Sequence, residues 1–251
     1  MPERVNTLYS MFARHCPSMD RFVCVTDDFG PELFSAGIDV VLTPPIALEL
    51  SGYTTPMKPH FPSCYRRLYT FSEEAAAWGE RLFQTDIDCV VTRSMEPLLD
   101  RAEDFVGWRP YAEWMAGHRI RRIGGGSFLL RSGSHADIWR DFIADPQGSI
   151  DRALAAGYRG SDQALMSHRL QSCALWDRHC GIYKITDLVD LAEQGRRRPP
   201  TRRRRFPEKR PGRIASCVPL PPDARIVHFL GPDGQKPWDY LDWPWVAENY
   251  R

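Results

Sequence analysis

Apolar positions near the start of the chain recur at helical spacing. Val5, Leu8 and Phe12 fall on one face of R-V-N-T-L-Y-S-M-F-A-R-H, which predicts an amphipathic helix from Arg4 to His15 that stops before Pro17. The pattern then shortens to compact apolar runs. Arg21 to Thr26 (R-F-V-C-V-T) reads as a buried strand closed by the turn residues T-D-D-F-G, and Ile38 to Leu42 as a second strand delivered into Pro44-Pro45. Residues 43 to 62 are rich in Pro, Gly and Thr and are expected to form a long loop, a feature usually tied to function. A helix from Ser63 to Phe71 and a shorter one from Glu73 to Trp78 lead into R-L-F-Q-T-D-I-D-C-V-V-T, Arg81 to Thr92. That stretch reads as a buried strand ending on Asp86 and Asp88, with apolar Cys89-Val90-Val91 beyond.

Downstream, Ser94 to Leu99 is a helical turn and Asp104 to Trp108 a short strand. Gly124-Gly125-Gly126-Ser127 opens a strand from Phe128 to Arg131; glycines there let the backbone approach a ligand or turn sharply. Ala136–Ile143, Ile150–Ala156 and Ser161–Leu170 follow as helices, the last with Ser161 in the N-cap position. Ala224 to Phe229 is a strand that delivers His228, and Trp245 to Tyr250 a final helix. Strands alternating with helices predict an α/β layered fold, a single domain over residues 1–251 with no internal repeat.

Composition narrows this picture. At 251 residues with 43% hydrophobic and 26% charged residues, the chain can bury a full core. Seven cysteines, odd in number and without C-x-x-C spacing, fit free thiols in a reducing compartment better than a disulfide framework or a zinc site. Neither a signal peptide nor an apolar run of membrane-span length is present, so a cytoplasmic location is expected. The net charge of +1 conceals an asymmetry: residues 196–213 hold nine Arg and one Lys against one Glu, or +9, which leaves −8 on the remainder. This segment reads first as a solvated loop, and alternatively as a patch for anionic lipid at the inner membrane face or for a phosphorylated glycan. Nucleic acid is not expected, because no recognised binding fold surrounds the patch.

The candidate chemistry starts at Asp86 and Asp88. On an extended chain residues i and i+2 share a face, so the two carboxylates would converge with Ile87 turned inward, offering hard oxygen ligands to Mg²⁺ or Mn²⁺ at a sheet edge. A lone D-x-D is common, and a capping Asp beside a solvated one is the simpler alternative. Far downstream lies H-F-L-G-P-D-G-Q-K-P-W, His228 to Trp238, whose His228, Gly231 and Lys236 follow a buried strand. A core histidine, a plain turn and a solvated lysine would explain each one separately. Together they point to a site.

With V-N-T-L-Y-S-M, C-Y-R-R-L (64–68), T-D-I-D (85–88), G-S-D-Q (160–163) and H-x-x-G-x-x-K-P-W (228–238) in this order, the chain resembles glycosyltransferases of the GT-A fold, a Rossmann-type three-layer α/β fold with a mixed central sheet. The likeness is to the retaining, lipopolysaccharide-galactosyltransferase and glycogenin type. The resemblance implies a nucleotide-sugar donor, commonly UDP-linked, and a glycan or glycolipid acceptor in cell-surface polysaccharide synthesis. It implies Asp86, Asp88 and His228 as ligands of Mn²⁺ or Mg²⁺, and Gly231 and Lys236 beside the diphosphate. Asp162 would bond sugar hydroxyls, Gln163 would sit near the anomeric carbon, and Gly125, Gly126 and Ser127 would lie along the donor. Arg66 and Arg67 would reach donor phosphate or sugar, or else form a solvated helix face. Such proteins begin with a β-strand that cradles the uridine, whereas this sequence starts almost directly on its first helix, so either the start is truncated or mis-called or the sheet lacks that strand.

Three other readings compete. A haloacid-dehalogenase-type phosphatase also ends a strand in D-x-D, but near its N-terminus and with a downstream acidic pair. A sugar nucleotidyltransferase would open on a Gly-rich loop. A truncated, inactive transferase-like domain would bind a partner without turning over.

Overall fold

The computed structural model describes residues 2–27, 30–54, 64–110, 123–194, 214, 216–229 and 235–251. Gly231 and the basic segment 196–213 lie outside them. Helix α1 (Pro2–His15) forms as its spacing predicts and buries Val5, Leu8, Met11 and Phe12. Strands β1 (Phe22–Thr26) and β2 (Ile38–Leu42) pair in parallel, Phe22 opposite Ile38. The expected loop 43–62 is partly helical: α2 (Pro45–Glu49) runs into a 3₁₀ turn at Leu50–Gly52. The two prolines are the reason. Pro44 is extended and Pro45 takes the first helical position, where its missing N–H costs nothing, and the I-A-L-E that follows buries Ala47.

The expected helix up to Phe71 is a 3₁₀ helix over Tyr65–Phe71, and another spans Glu74–Trp78. Its buried residues Tyr65, Leu68 and Phe71 are spaced by three, so only a helix of three residues per turn stacks them on one line.

The remaining strands are β3 (Arg81–Thr85), β4 (Cys89–Val91), β5 (Phe105–Trp108), β6 (Gly124–Arg131), β7 (Ala174–Leu175), β8 (Ile182–Lys184) and β9 (Ile226–His228). They form a four-stranded sheet ordered β3-β6-β5-β7 and a three-stranded sheet ordered β4-β9-β8. Both are mixed: β6 runs antiparallel to β3 and β5 while β5 and β7 are parallel, and β9 is antiparallel to β4 but parallel to β8. The mixed α/β expectation therefore holds. Two details differ. The glycines at 124–126 do not precede the strand but belong to it, all buried. Asp86 and Asp88 do not end one long strand; with Ile87 they form the link between β3 and β4, in different sheets.

The other helices are α3 (Glu96–Leu99), α4 (Ala136–Ala144), α5 (Pro146–Ala155), α6 (Asp162–Arg169), α7 (Ile185–Gln194) and α8 (Pro244–Asn249). Helix α5 starts four residues before the predicted Ile150 because Asp145 caps it, accepting the Gly148 N–H at 3.0 Å, with Pro146 in the first helical position. Ser161 stands at the N-cap of α6 but does not cap it; its hydroxyl donates to Asp162 at 2.8 Å.

Two apolar cores result. One gathers α1, β4, β8, β9 and the C-terminal aromatics; the other gathers Tyr65, Leu68 and Phe71 with β6 and α4 to α6. Helix α1 lies in the seam between the β1–β2 pair and β4: Phe12 packs on Phe22 and Phe83, and the Val91 N–H donates to Met11 Sδ at 3.5 Å. All seven cysteines are free thiols, and no described helix is long and apolar enough to cross a membrane.

Candidate active site

The two sheets meet at the Asp86–Asp88 link, and each end of it is pinned to one of them. The Asp86 N–H donates to the Gly126 carbonyl at 3.0 Å, extending the β3–β6 ladder, and the Phe229 N–H donates to the Asp88 carbonyl at 2.8 Å, extending β4–β9. Strand pairing sets His228 opposite Cys89 on one side and Lys184 on the other. Strand pairing thus brings His228 beside the Asp86–Asp88 link across about 140 residues of sequence.

His228 is fully buried and held on two sides. Its ring stacks on Trp108, centroids 5.0 Å apart at 27°, and its Nε2 bonds Ser127 Oγ at 2.8 Å. Its Nδ1 is buried with no hydrogen-bond partner among the described residues. An unpaired buried nitrogen costs about 1–3 kcal/mol, so it calls for a reason. Burial also pushes the imidazole pKa down to about 4, aided by Lys184 and Arg67 against the opposing pull of Asp88. The ring is therefore neutral near pH 7, the form that binds metals.

The glycines shape the space around this nitrogen. A Cβ on Gly126 would stand 3.2 Å from His228 Nδ1 and 3.3 Å from Asp86 Oδ2, so the carboxylate and the unpaired nitrogen border the same small gap. On the opposite strand face, a Cβ on Gly125 would lie 2.7 Å from Arg67 Nη1 and 3.1 Å from Asp162 Oδ2. Close approach, not an unusual φ, is what demands glycine at both positions.

Arg67 is the hub of the second face. It donates to Asp86 Oδ1 at 2.5 Å, to Asp162 Oδ2 at 2.8 Å and to the Gly125 carbonyl at 2.9 Å. Burial works against its charge, but Asp162 and Asp86 together outweigh burial and keep the guanidinium protonated. Burial pushes the Asp86 pKa up, with Arg67 pulling the other way. Asp162 is buried at the start of α6, and beside it Gln163 projects an exposed side chain. Asp88 is ion-paired with Lys236, whose backbone N–H is fixed by Asp239 at 2.8 Å.

Sequence reasoning therefore located Asp86, Asp88, His228, Lys236, Arg67, Asp162 and Gln163 in one neighbourhood. Arg66 is not part of it. Its guanidinium turns outward to Asp27 at 2.7 Å, both side chains about half exposed, at the end of β1. Gly231 lies outside the described residues. Trp108 and the Ser127 hydroxyl were missed as supports of His228; no linear spacing marks a stack between residues so far apart. Among the described residues no three His, Cys, Asp or Glu side chains are gathered closely enough to form a metal shell. The donor set still fits a hard divalent cation: two carboxylates, and an imidazole nitrogen with no hydrogen-bond partner among the described residues.

No protein-family model matches the sequence, and no curated protein matches it either. Solved structures do share its fold. One is the galactosyltransferase LgtC in complex with donor and acceptor sugar analogues (TM-score 0.63, 14% identity, covering 98% of this chain and 90% of that one). Another is the glycosyltransferase GlyE of Streptococcus pneumoniae (TM-score 0.56, 13% identity, covering 99% of this chain and 58% of that one). The chain has the GT-A glycosyltransferase fold that its motifs resemble.

Proposed function

We propose that this protein transfers a sugar from a nucleotide donor, UDP-linked in the first instance, to a glycan or glycolipid acceptor, with Mn²⁺ or Mg²⁺ held by Asp86, Asp88 and His228. The observation that carries the reading is the buried, unpaired His228 Nδ1 facing Asp86 across Gly126. In the tautomer this requires, Nε2–H donates to Ser127 Oγ and the Nδ1 lone pair is left for the cation. A bound divalent cation would supply charge stabilisation for the diphosphate as its bond to the sugar breaks.

The chain's own residues do the rest. Lys236 exchanges its ion pair with Asp88 for the departing diphosphate, and so compensates charge where it develops. Arg67 and Ser161 hold the Asp162 carboxylate in one orientation, fit to accept hydroxyl protons from the transferred sugar. Gln163, next along α6, presents its amide to the reacting carbon. The missing side chains at Gly125 and Gly126 let the donor lie against the strand backbone. Retention of configuration rests on the resemblance, since no carboxylate takes the position of a covalent nucleophile in this reading.

A phosphatase reading loses its footing. Asp86, which would be the nucleophile, has one carboxylate oxygen bound by Arg67, and the motif joins two sheets in mid-chain. The inactive-domain reading has one observation in its favour: both carboxylates are already neutralised, Asp86 by Arg67 and Asp88 by Lys236. UDP calorimetry with and without Mn²⁺ separates the two. Mn²⁺-dependent binding, weakened at least about tenfold in Asp88→Asn, is expected of the transferase. UDP binding that ignores the metal, or none from a folded protein, would abandon it.

A further inference from the structure

Beside Gln163 the surface opens into a cavity whose other lining residues the donor reading does not use. It has a volume of about 140 Å³ and is lined in part by Gly124, Tyr158, Arg159, Gln163, Ser167 and Lys184. Its charge is one-sided. Two cations line it and, among the described residues, no Asp or Glu does. The nearest carboxylate in sequence, Asp162, is not part of the lining and is ion-paired with Arg67 at 2.8 Å. Ser167 is also spent, since its hydroxyl accepts the Ile123 N–H at 2.9 Å and donates to the Gln163 carbonyl at 2.5 Å. Arg159 is exposed and makes no hydrogen bond or ion pair to any described residue. Lys184 comes from β8 and holds its ammonium 5.7 Å from the centroid of the Trp108 ring, the ring that stacks on His228.

The location gives this charge a meaning. Gln163 is common to the cavity and to the Arg67–Asp162–Gly125 cluster, so a ligand in the cavity abuts the residue assigned to the transferred sugar. Phosphate-bearing donor groups belong at the Asp86, Asp88 and Lys236 end. We infer that the cavity is the acceptor subsite and that it takes an anionic sugar, one bearing a carboxylate or a phosphate, with Arg159 and Lys184 as its specificity-determining residues. The inference rests on the transferase reading for its role, and on the charge of the lining for its ligand class. A guanidinium suits either oxyanion through paired N–H donors, and an ammonium adds a point charge. Tyr158 and Gln163 remain for neutral hydroxyls.

The test uses three probes on the full chain: D-glucuronate, D-glucose 6-phosphate and D-glucose, followed by saturation-transfer NMR with UDP and Mn²⁺ present and absent. Glucuronate or glucose 6-phosphate should bind and glucose should not, and which of the two anions binds separates the carboxylate from the phosphate source. Arg159→Gln and Lys184→Gln should each weaken the anionic probe by about tenfold. Lys184→Arg should retain it, and Arg140→Gln, an exposed cation elsewhere, should leave it unchanged; melting curves confirm that each variant is folded. Equal binding of glucose and the anions, binding of none of the three probes, or anion binding indifferent to both Gln substitutions, overturns the inference. Metal-dependent UDP binding without anion selectivity would remove the acceptor assignment alone. Anion selectivity without UDP binding would leave the anion site and remove the transferase reading.

Discussion

Arg66 and Arg67 are neighbours in sequence and belong to different regions of the molecule. Arg66 faces the outer layer, the β1–β2 pair, where it meets Asp27 at a half-exposed rim. That layer is thin: it has two strands, and Val25, Leu33, Leu42, Ile46 and Leu48 around it are exposed. Arg67 faces the junction of the two larger sheets, where His228, Ser127 and Phe128 are fully buried and Asp162 nearly so. The contrast shows where this fold is specified tightly. At the junction Arg67 is fixed by three buried or half-buried partners, whereas in the outer layer Arg21–Asp39 and Arg66–Asp27 are exposed to about half. Ion pairs at the buried junction weigh on stability, while exposed pairs in the outer layer contribute little.

Substitutions can break that contrast. The largest loss is expected from Arg67→Met, which leaves Asp86 and Asp162 without their shared counter-charge; removing one partner of a buried ion pair costs about 3–5 kcal/mol. Chemical denaturation should show it, and a loss below 1 kcal/mol would mean that the hub is not structural. Gly126→Ala comes next. Its methyl would crowd His228 and Asp86 at 3.2–3.3 Å, and overpacking of this kind costs about 1–3 kcal/mol. Calorimetry should also find Mn²⁺-dependent UDP binding diminished in that variant; unimpaired metal dependence would remove the gap beside Nδ1 from the metal site. Arg66→Gln is the smallest, within about 1 kcal/mol, because an exposed pair contributes little, and its melting curve should shift by at most a few degrees. A loss as large as that of Arg67→Met would erase the distinction between the two regions.

How far the sequence revealed this follows the same line. Helix α1 announced itself through its spacing, and β9 through the apolar run from Ala224 to Phe229 that carries His228. The resemblance implied one neighbourhood for Asp86, Asp88, Lys236 and Asp162, and left Arg66 and Arg67 open between donor contact and a solvated helix face. Strand β8 and helix α7 escaped, since I-Y-K is too short to show alternation and its apolar neighbours carry no turn signal before Ile185. Three glycines read as a strand opening rather than a strand interior, because glycine disfavours strands unless another group must come close. Here Trp108, Arg67 and His228 all do. What spacing could not encode was which arginine turns inward. That choice was settled by a 3₁₀ helix burying every third residue, which leaves Arg67 on the flank beside Leu68.

The link from Asp86 to Asp88 also works as a ruler. Its first N–H is tied to one sheet and its last carbonyl to the other, so its length sets the offset between two ladders at once. Adding one residue would leave β3 in register and turn every side chain of β4 to the wrong face, or the reverse. The motif is therefore tolerant of chemistry at its middle position and intolerant of length. An Ile87 substitution and a one-residue insertion beside it should differ as a dent differs from a dislocation.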